Sequence, residues 1–177
     1  MSPAKPVPGQ NFPIVEVSKL GGGVLALGQA SDGYDWQMIV VYRGKHCPIC
    51  TRYLRELDEV VGSLKELGIE VIAVSADSET RANEQIADVS PRYEVGYGLS
   101  MDQMKAMGLY ISSPQHGMNV ERPFAEPGLF VVNEAGELRM VDLANVPFLR
   151  PQLPAIVGGL RFMRAMSEPF PANGTYA

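Results

Sequence analysis

The sequence predicts an α/β fold, a central mixed β-sheet flanked by helices, on three observations. Two near-continuous apolar runs, at residues 36–42 and 69–74, have the length and make-up of strands covered on both faces. Apolar residues between and after them recur at three and four, the period of a helix with one buried side. Two further apolar runs, at 129–132 and 138–143, flank the turn Asn133-Glu134-Ala135-Gly136 and read as a β-hairpin. Strand, helix, strand, helix and then a hairpin implies parallel pairing with right-handed crossovers first and antiparallel pairing last.

Taken in order, residues 1–13 read as an extended, Pro-rich arm, 14–168 as the folded domain, and 169–177 as a frayed tail. Short strands at 14–17 and 24–27 surround Gly21-Gly22-Gly23, a hairpin turn; no Gly-Lys-Ser/Thr element follows that would make it a phosphate loop. The first long strand is 36–42. From Ile49 the positions Tyr53, Leu54, Leu57, Val60, Val61, Leu64 and Leu67 form one helical face, closed by Gly68. After the strand at 69–74, a second helix opens near residues 75–79, capped by Asp77 or Ser78, and runs to about 89. A short strand within 93–99 leads into a brief helix at 102–107, and the spacing of Met101, Met104 and Met107 reads as ordinary helix packing. The polar, Pro/Gly-punctuated stretch 112–126, with His116, reads as a surface loop. The last helix starts at about 151, with Leu153, Ile156, Val157, Leu160 and Met163 on one face.

With 177 residues, 46% hydrophobic and 20% charged, the chain suits one domain with one full core. A net charge of -5 without a dense Lys/Arg run argues against nucleic acid as a partner. No apolar stretch has the length that spans a bilayer, and the N-terminus lacks the apolar centre of a signal peptide, so the expectation is a cytoplasmic protein with no membrane partner.

The chemistry is concentrated in His46-Cys47-Pro48-Ile49-Cys50, which holds the only two cysteines, at the end of the strand 36–42. A strand that turns and delivers Cys47 to the first turn of a helix sets its sulfur against unpaired backbone N–H groups, which favour the thiolate. Arg43, Lys45 and a protonated His46 are further cations for that thiolate, and His46 is alternatively a proton shuttle or a solvated loop residue. Cys50, one turn further on, is placed to attack a mixed disulfide or a sulfenic acid on Cys47. Pro48 rigidifies the turn where a helix tolerates proline. A structural zinc site draws four ligands and no second pair of cysteines exists, so neither a metal nor another cofactor is expected. In a reducing compartment a dithiol is more often catalytic or sensing than structural.

The run Tyr42-Arg43-Gly44-Lys45-His46-Cys47-Pro48-Ile49-Cys50 within this architecture resembles the thioredoxin-like superfamily, and in particular peroxiredoxin-like proteins of the alkyl hydroperoxide reductase and thiol-specific antioxidant (AhpC/TSA) family. The resemblance covers about residues 7–165 and implies a thioredoxin-like fold. Two departures bear on the reaction. Peroxiredoxins carry a proline and a hydroxyl residue at the positions that hold Val40 and Gly44, and an arginine ahead of the strand where this chain has Pro127. Thioredoxin-like dithiol enzymes have a cis-proline at that place, so the resemblance implies a cis Glu126–Pro127 bond beside the cysteines. Arg43 and Arg122 are the candidates to replace the missing guanidinium.

These residues lead first to a thiol-disulfide oxidoreductase working through a Cys47/Cys50 dithiol-disulfide couple. A thiol-dependent peroxidase acting on hydrogen peroxide or alkyl hydroperoxides with the same pair is the alternative, and a non-enzymatic redox-sensing domain the second. The expected partners are protein disulfides or peroxides as substrate, and a thioredoxin-like protein or glutathione as reductant. The likeness to peroxiredoxins further implies a homodimer.

Overall fold

The computed structural model describes residues 5–176, so residues 1–4 of the expected arm and residue 177 of the tail lie outside the described residues. Its centre is a seven-stranded sheet built from β1 (Val15–Lys19), β2 (Val24–Leu27), β3 (Trp36–Val41), β4 (Ile69–Val74), β5 (Glu94–Tyr97), β8 (Gly128–Val132) and β9 (Leu138–Leu143), in the order β2-β1-β5-β4-β3-β8-β9. β3 pairs parallel with β4 and β4 with β5, while β8 joins β3 antiparallel. This is the thioredoxin-like α/β arrangement that the sequence predicts. A two-stranded addition, β6 (Ile111–Ser112) with β7 (Phe124–Ala125), ties off the ends of the stretch read as a surface loop. That loop therefore ends in buried residues, Phe124 to Glu126, although His116 at its middle is exposed.

Every residue of β3, β4 and β8 is buried, because both faces of the sheet are covered. The alternating pleat sends Met38, Val40 and Tyr42 to one side, under α1 (Pro48–Glu66) and α4 (Leu153–Ala165). It sends Ile39 and Val41 to the other, against Val15, Val17, Phe12 and the methionines Met104 and Met107 of the segment around α3 (Met101–Ala106). The methionines are packing residues, as their spacing predicts. Ser78, rather than Asp77, caps α2 (Glu79–Ala87), which stops two residues short of the expected end.

One boundary differs from the sequence reading. The last helix begins at Leu153 rather than near Pro151, leaving residues 144–152 as a loop that folds back over α1. The irregular, largely exposed tail is held at Phe170. The Arg139 guanidinium holds the Phe170 carbonyl, and the Phe162 and Phe170 rings meet edge to face at 6.1 Å. The arm is likewise pinned: Gly9 N–H donates to the Leu138 carbonyl at 2.7 Å and Phe12 N–H to the Gly136 carbonyl at 2.8 Å.

Candidate active site

The site lies where β3 runs out and α1 begins, beyond the carboxyl ends of the parallel strands. Cys47 is the N-cap of α1 in extended backbone conformation, and Pro48 occupies the first turn, where its missing N–H costs nothing. The Cys50 N–H donates to Cys47 Sγ at 3.3 Å, the bond that a capping oxygen ordinarily accepts. Both cysteines are free thiols and both are buried, Cys47 to 3% exposure and Cys50 fully.

The two sulfurs are driven apart electrostatically. The Cys50 thiol, bonded to Cys47 Sγ, lowers the Cys47 pKa to about 6, helped by the Cys50 N–H and by the guanidinium groups of Arg150 and Arg43. Burial and the hydrogen bond to Cys47 push the Cys50 thiol far up. These surroundings favour the thiolate at Cys47 and the thiol at Cys50, the division of labour that a nucleophile and a resolving thiol require.

The cations around the thiolate are only partly those the sequence suggested. Lys45 turns outward to Glu84. His46 is not a cation at neutral pH, since burial and the nearby Arg43 lower its pKa. Its ring meets Phe124 at 4.5 Å, and neither ring nitrogen finds a hydrogen-bond partner among the described residues. Arg43 stacks 4.8 Å from the centre of the Phe124 ring and lies 3.3 Å from the buried carboxylate of Glu126, whose other oxygen accepts the Ser112 hydroxyl at 2.6 Å. Arg122 stands exposed in the loop before β7, and no hydrogen bond or ion pair among the described residues fixes it. The guanidinium that sequence reasoning missed is Arg150, from the loop between β9 and α4, with Nη2 2.8 Å from Cys50 Sγ.

Pro127 is buried at the head of β8, as the hairpin register places it, but the Glu126–Pro127 bond is trans, against the expectation of a cis bond. The trans chain is fixed on both sides of the proline. Glu126 N–H donates to the Tyr110 carbonyl at 2.8 Å, and the Pro127 carbonyl accepts from Ala144 N–H at 3.0 Å.

Gly44 has a physical reason. Its φ of +126° lies in a region that L side chains rarely adopt, and a Cβ there would stand 2.6 Å from Asp77 Oδ2. Asp77, itself buried, accepts from the Lys45 N–H at 2.7 Å and pairs with Arg81 at 3.3 Å. Gln85 completes the brace, donating to the Gly44 carbonyl at 3.2 Å and to Thr51 Oγ1 at 3.0 Å. A carboxylate therefore fills the space that a hydroxyl side chain would need.

Among the described residues, no group of three or more His, Cys, Asp or Glu is placed to hold a metal ion, and no helix is long and apolar enough to cross a membrane.

Comparison with known proteins agrees with the fold. The family model described as AhpC/TSA family matches residues 8–141. A curated relative, the thiol-disulfide oxidoreductase ResA of Halalkalibacterium halodurans, is 30% identical over 103 residues, which are 58% of this chain and 51% of that protein. The chain thus spans about half the length of the curated relative it matches. Among solved structures, a peroxiredoxin-like protein from Aquifex aeolicus superposes with a TM-score of 0.75 at 17% identity, covering 91% of this chain and 90% of that one. A mutant of the peroxiredoxin 6 of Arenicola marina gives 0.74 at 18% identity, covering 94% and 79%.

Proposed function

The chain belongs to the AhpC/TSA family, whose chemistry is thiol-based redox chemistry at cysteine, and from that premise we propose that it is a thiol-dependent peroxidase using Cys47 and Cys50. The observation that carries this reading is the Cys47 sulfur itself, only 3% exposed, capping α1 by accepting the Cys50 N–H at 3.3 Å, with the free Cys50 thiol one turn behind it and the Arg150 guanidinium on that second sulfur at 2.8 Å. Such a sulfur is open to an oxidant of a few atoms and closed to a bulky protein disulfide unless the loops part.

In the proposed cycle the Cys47 thiolate attacks one oxygen of the peroxide, the O–O bond breaks, and the departing hydroxide or alkoxide takes a proton. Cys47 is left as a sulfenic acid. The Cys50 thiol then attacks that sulfur, its proton leaves with the sulfenic hydroxyl as water, and the S–S bond closes. Two electrons from a thiol reductant, a thioredoxin-like protein or glutathione, restore the dithiol. With the proline and hydroxyl positions of a peroxiredoxin occupied by Val40 and Gly44, the polar work falls to Arg43, Arg150 and the neutral His46, whose nitrogens are otherwise uncommitted. Homodimerisation belongs to the same proposal and is read from the mass in solution.

A second reading, a thiol-disulfide oxidoreductase, is favoured by Gly44 in place of a hydroxyl residue and by the likeness to ResA, although the trans bond before Pro127 takes away the cis-proline that such enzymes carry. Stopped-flow oxidation of the reduced protein by hydrogen peroxide, beside its reaction with a disulfide, separates the two. Peroxide should oxidise Cys47 far faster than it oxidises free cysteine at the same pH. A peroxide rate no better than free cysteine, with rapid disulfide exchange, would make the oxidoreductase the function.

A further inference from the structure

Resting on the reading of Cys47 and Cys50 as a redox couple, we propose that Arg150 is the catalytic residue of the closing half-reaction, stabilising the thiolate that Cys50 must become before it attacks oxidised Cys47. Cys50 is fully buried, and a buried thiol resists losing its proton unless a cation stands against the sulfur. The Arg150 guanidinium does so, with Nη2 2.8 Å from Cys50 Sγ.

The placement is specific. Tyr53 lies one turn beyond Cys50 on the same face of α1; its ring stacks 4.9 Å from the guanidinium carbon, and its hydroxyl donates to the Pro151 carbonyl at 2.9 Å. A single helix therefore sets both the sulfur and the cation that serves it. Arg43 is compromised by Glu126, whereas Arg150 makes no ion pair among the described residues, and its buried Nη1 has no hydrogen-bond partner there. A guanidinium keeps its charge throughout the pH range of the reaction.

The order of events follows from the relay Arg150 to Cys50 to Cys47. In the reduced protein the charge sits on Cys47, and the adjacent negative sulfur discourages ionisation of Cys50. Oxidation of Cys47 removes that charge. Arg150 is then the cation left facing Cys50, and the proton that had been shared with Cys47 is free to leave with the departing group.

A small aromatic disulfide that releases a coloured thiolate separates the steps. Cys47 attacks the probe, forming a mixed disulfide and releasing one thiolate; Cys50 then attacks Cys47, loses its proton to solvent and releases a second thiolate as the internal disulfide closes. At pH 8, Arg150→Met should slow the second release by about tenfold or more and change the first by less than about threefold. The midpoint of the second phase should move to higher pH, a change that a merely structural contact would not produce. Arg150→Lys should restore the second phase to within about fivefold, because the charge is kept. Arg150→Gln gives the same reading if the Met variant does not fold. An unchanged second phase, equal slowing of both phases, or a Lys variant no faster than Gln would each overturn the role. Peroxide takes no part in this assay, so an enzyme inert to peroxide still reports on Arg150, and rapid peroxide oxidation with a normal second release removes Arg150 alone.

Discussion

Two buried polar clusters occupy opposite ends of the same central strands, and they are built on opposite terms. At the amino ends of β3 and β4, Gln37 and Glu70 sit side by side in register. Gln37 Oε1 accepts the Gly28 N–H at 2.7 Å, and its amide donates to Glu70 and to the Ala26 and Gln29 carbonyls, each at 2.9 Å. Glu70 also accepts the Ser31 hydroxyl at 2.7 Å. No polar side-chain atom of that pair is without a partner. At the carboxyl ends, both His46 nitrogens and Arg150 Nη1 are buried and lack hydrogen-bond partners among the described residues, while Arg43 Nε and Glu126 Oε2 meet only each other, as an ion pair at 3.3 Å. A satisfied network holds a fold in one conformation, and an unsatisfied one keeps its donors and acceptors available for a substrate.

The largest effect that tests this contrast is on turnover. Cys47→Ser should lower peroxide consumption by about a thousandfold or more, since no other sulfur at the site is ionised. Gln37→Ala should leave the rate per folded molecule unchanged. A folded Gln37→Ala protein without activity would break the division between the two ends.

Stability should respond in the reverse sense. Gln37→Ala removes an amide donor from a buried carboxylate, and urea unfolding should register a loss of about 2–3 kcal/mol. The Cys47 titration should stay where it was, and a shift would mean that the two ends communicate.

Gly44→Ser sharpens the comparison on the catalytic side. It restores a hydroxyl in name, but at φ +126° and against Asp77 it should cost about 1–3 kcal/mol and leave the peroxide rate no higher. A faster enzyme would show that the missing hydroxyl, and not the arrangement of cations, limits the reaction.

The smallest expected effect is on pH dependence. Alkylation of Cys47 should rise with pH through a midpoint of about 6, and Cys50→Ala should move that midpoint up by deleting its largest cause, the thiol bonded to the sulfur. Because the folded pKa lies below that of an unfolded thiol, about 8.5, the linked stability is fully present above the unfolded value. It fades as pH falls through 6. Unfolding of the reduced protein between these limits should show the slope, and the oxidised protein should lack it.

The parts of the molecule legible in the sequence are those carried by periodicity or by adjacency. β3, β4, α1 and the last hairpin announce themselves through runs and three-four spacing, and Cys47 is placed by the five residues around it. Arg150, Asp77 and Glu126 have no such pattern, since each is one charged residue in a loop, and Arg150 meets Cys50 across 100 positions of chain. One signal was nonetheless present. Neither α1 nor α4 has an acidic residue in its first turn, and an arginine stands a few residues ahead of each, a polarity that opposes the helix dipole and so favours an anion in between. Gly44 was legible only as an absence; the carboxylate that requires it comes from beyond β4. The trans bond before Pro127 is flanked by hydrogen bonds to Tyr110 and Ala144, residues that only the folded chain brings beside it.

Cys47 is also the cap of α1, and this ties the oxidation state to the mechanics of a helix. The thiolate accepts the Cys50 N–H; a sulfur drawn into a disulfide carries no charge and is a poor acceptor, so the first turn loses a cap of about 1 kcal/mol each time the enzyme is oxidised. The opening of α1 that follows is local, because Leu54, Leu57, Val61 and Leu64 keep the rest of the helix fastened to the sheet. Amide hydrogen exchange at Cys50 and Thr51 should accelerate in the oxidised protein while that of Leu57 and Leu64 stays slow. The fraying would loosen one of the walls that bury both sulfurs, giving a reductant too large for the closed site its moment of access.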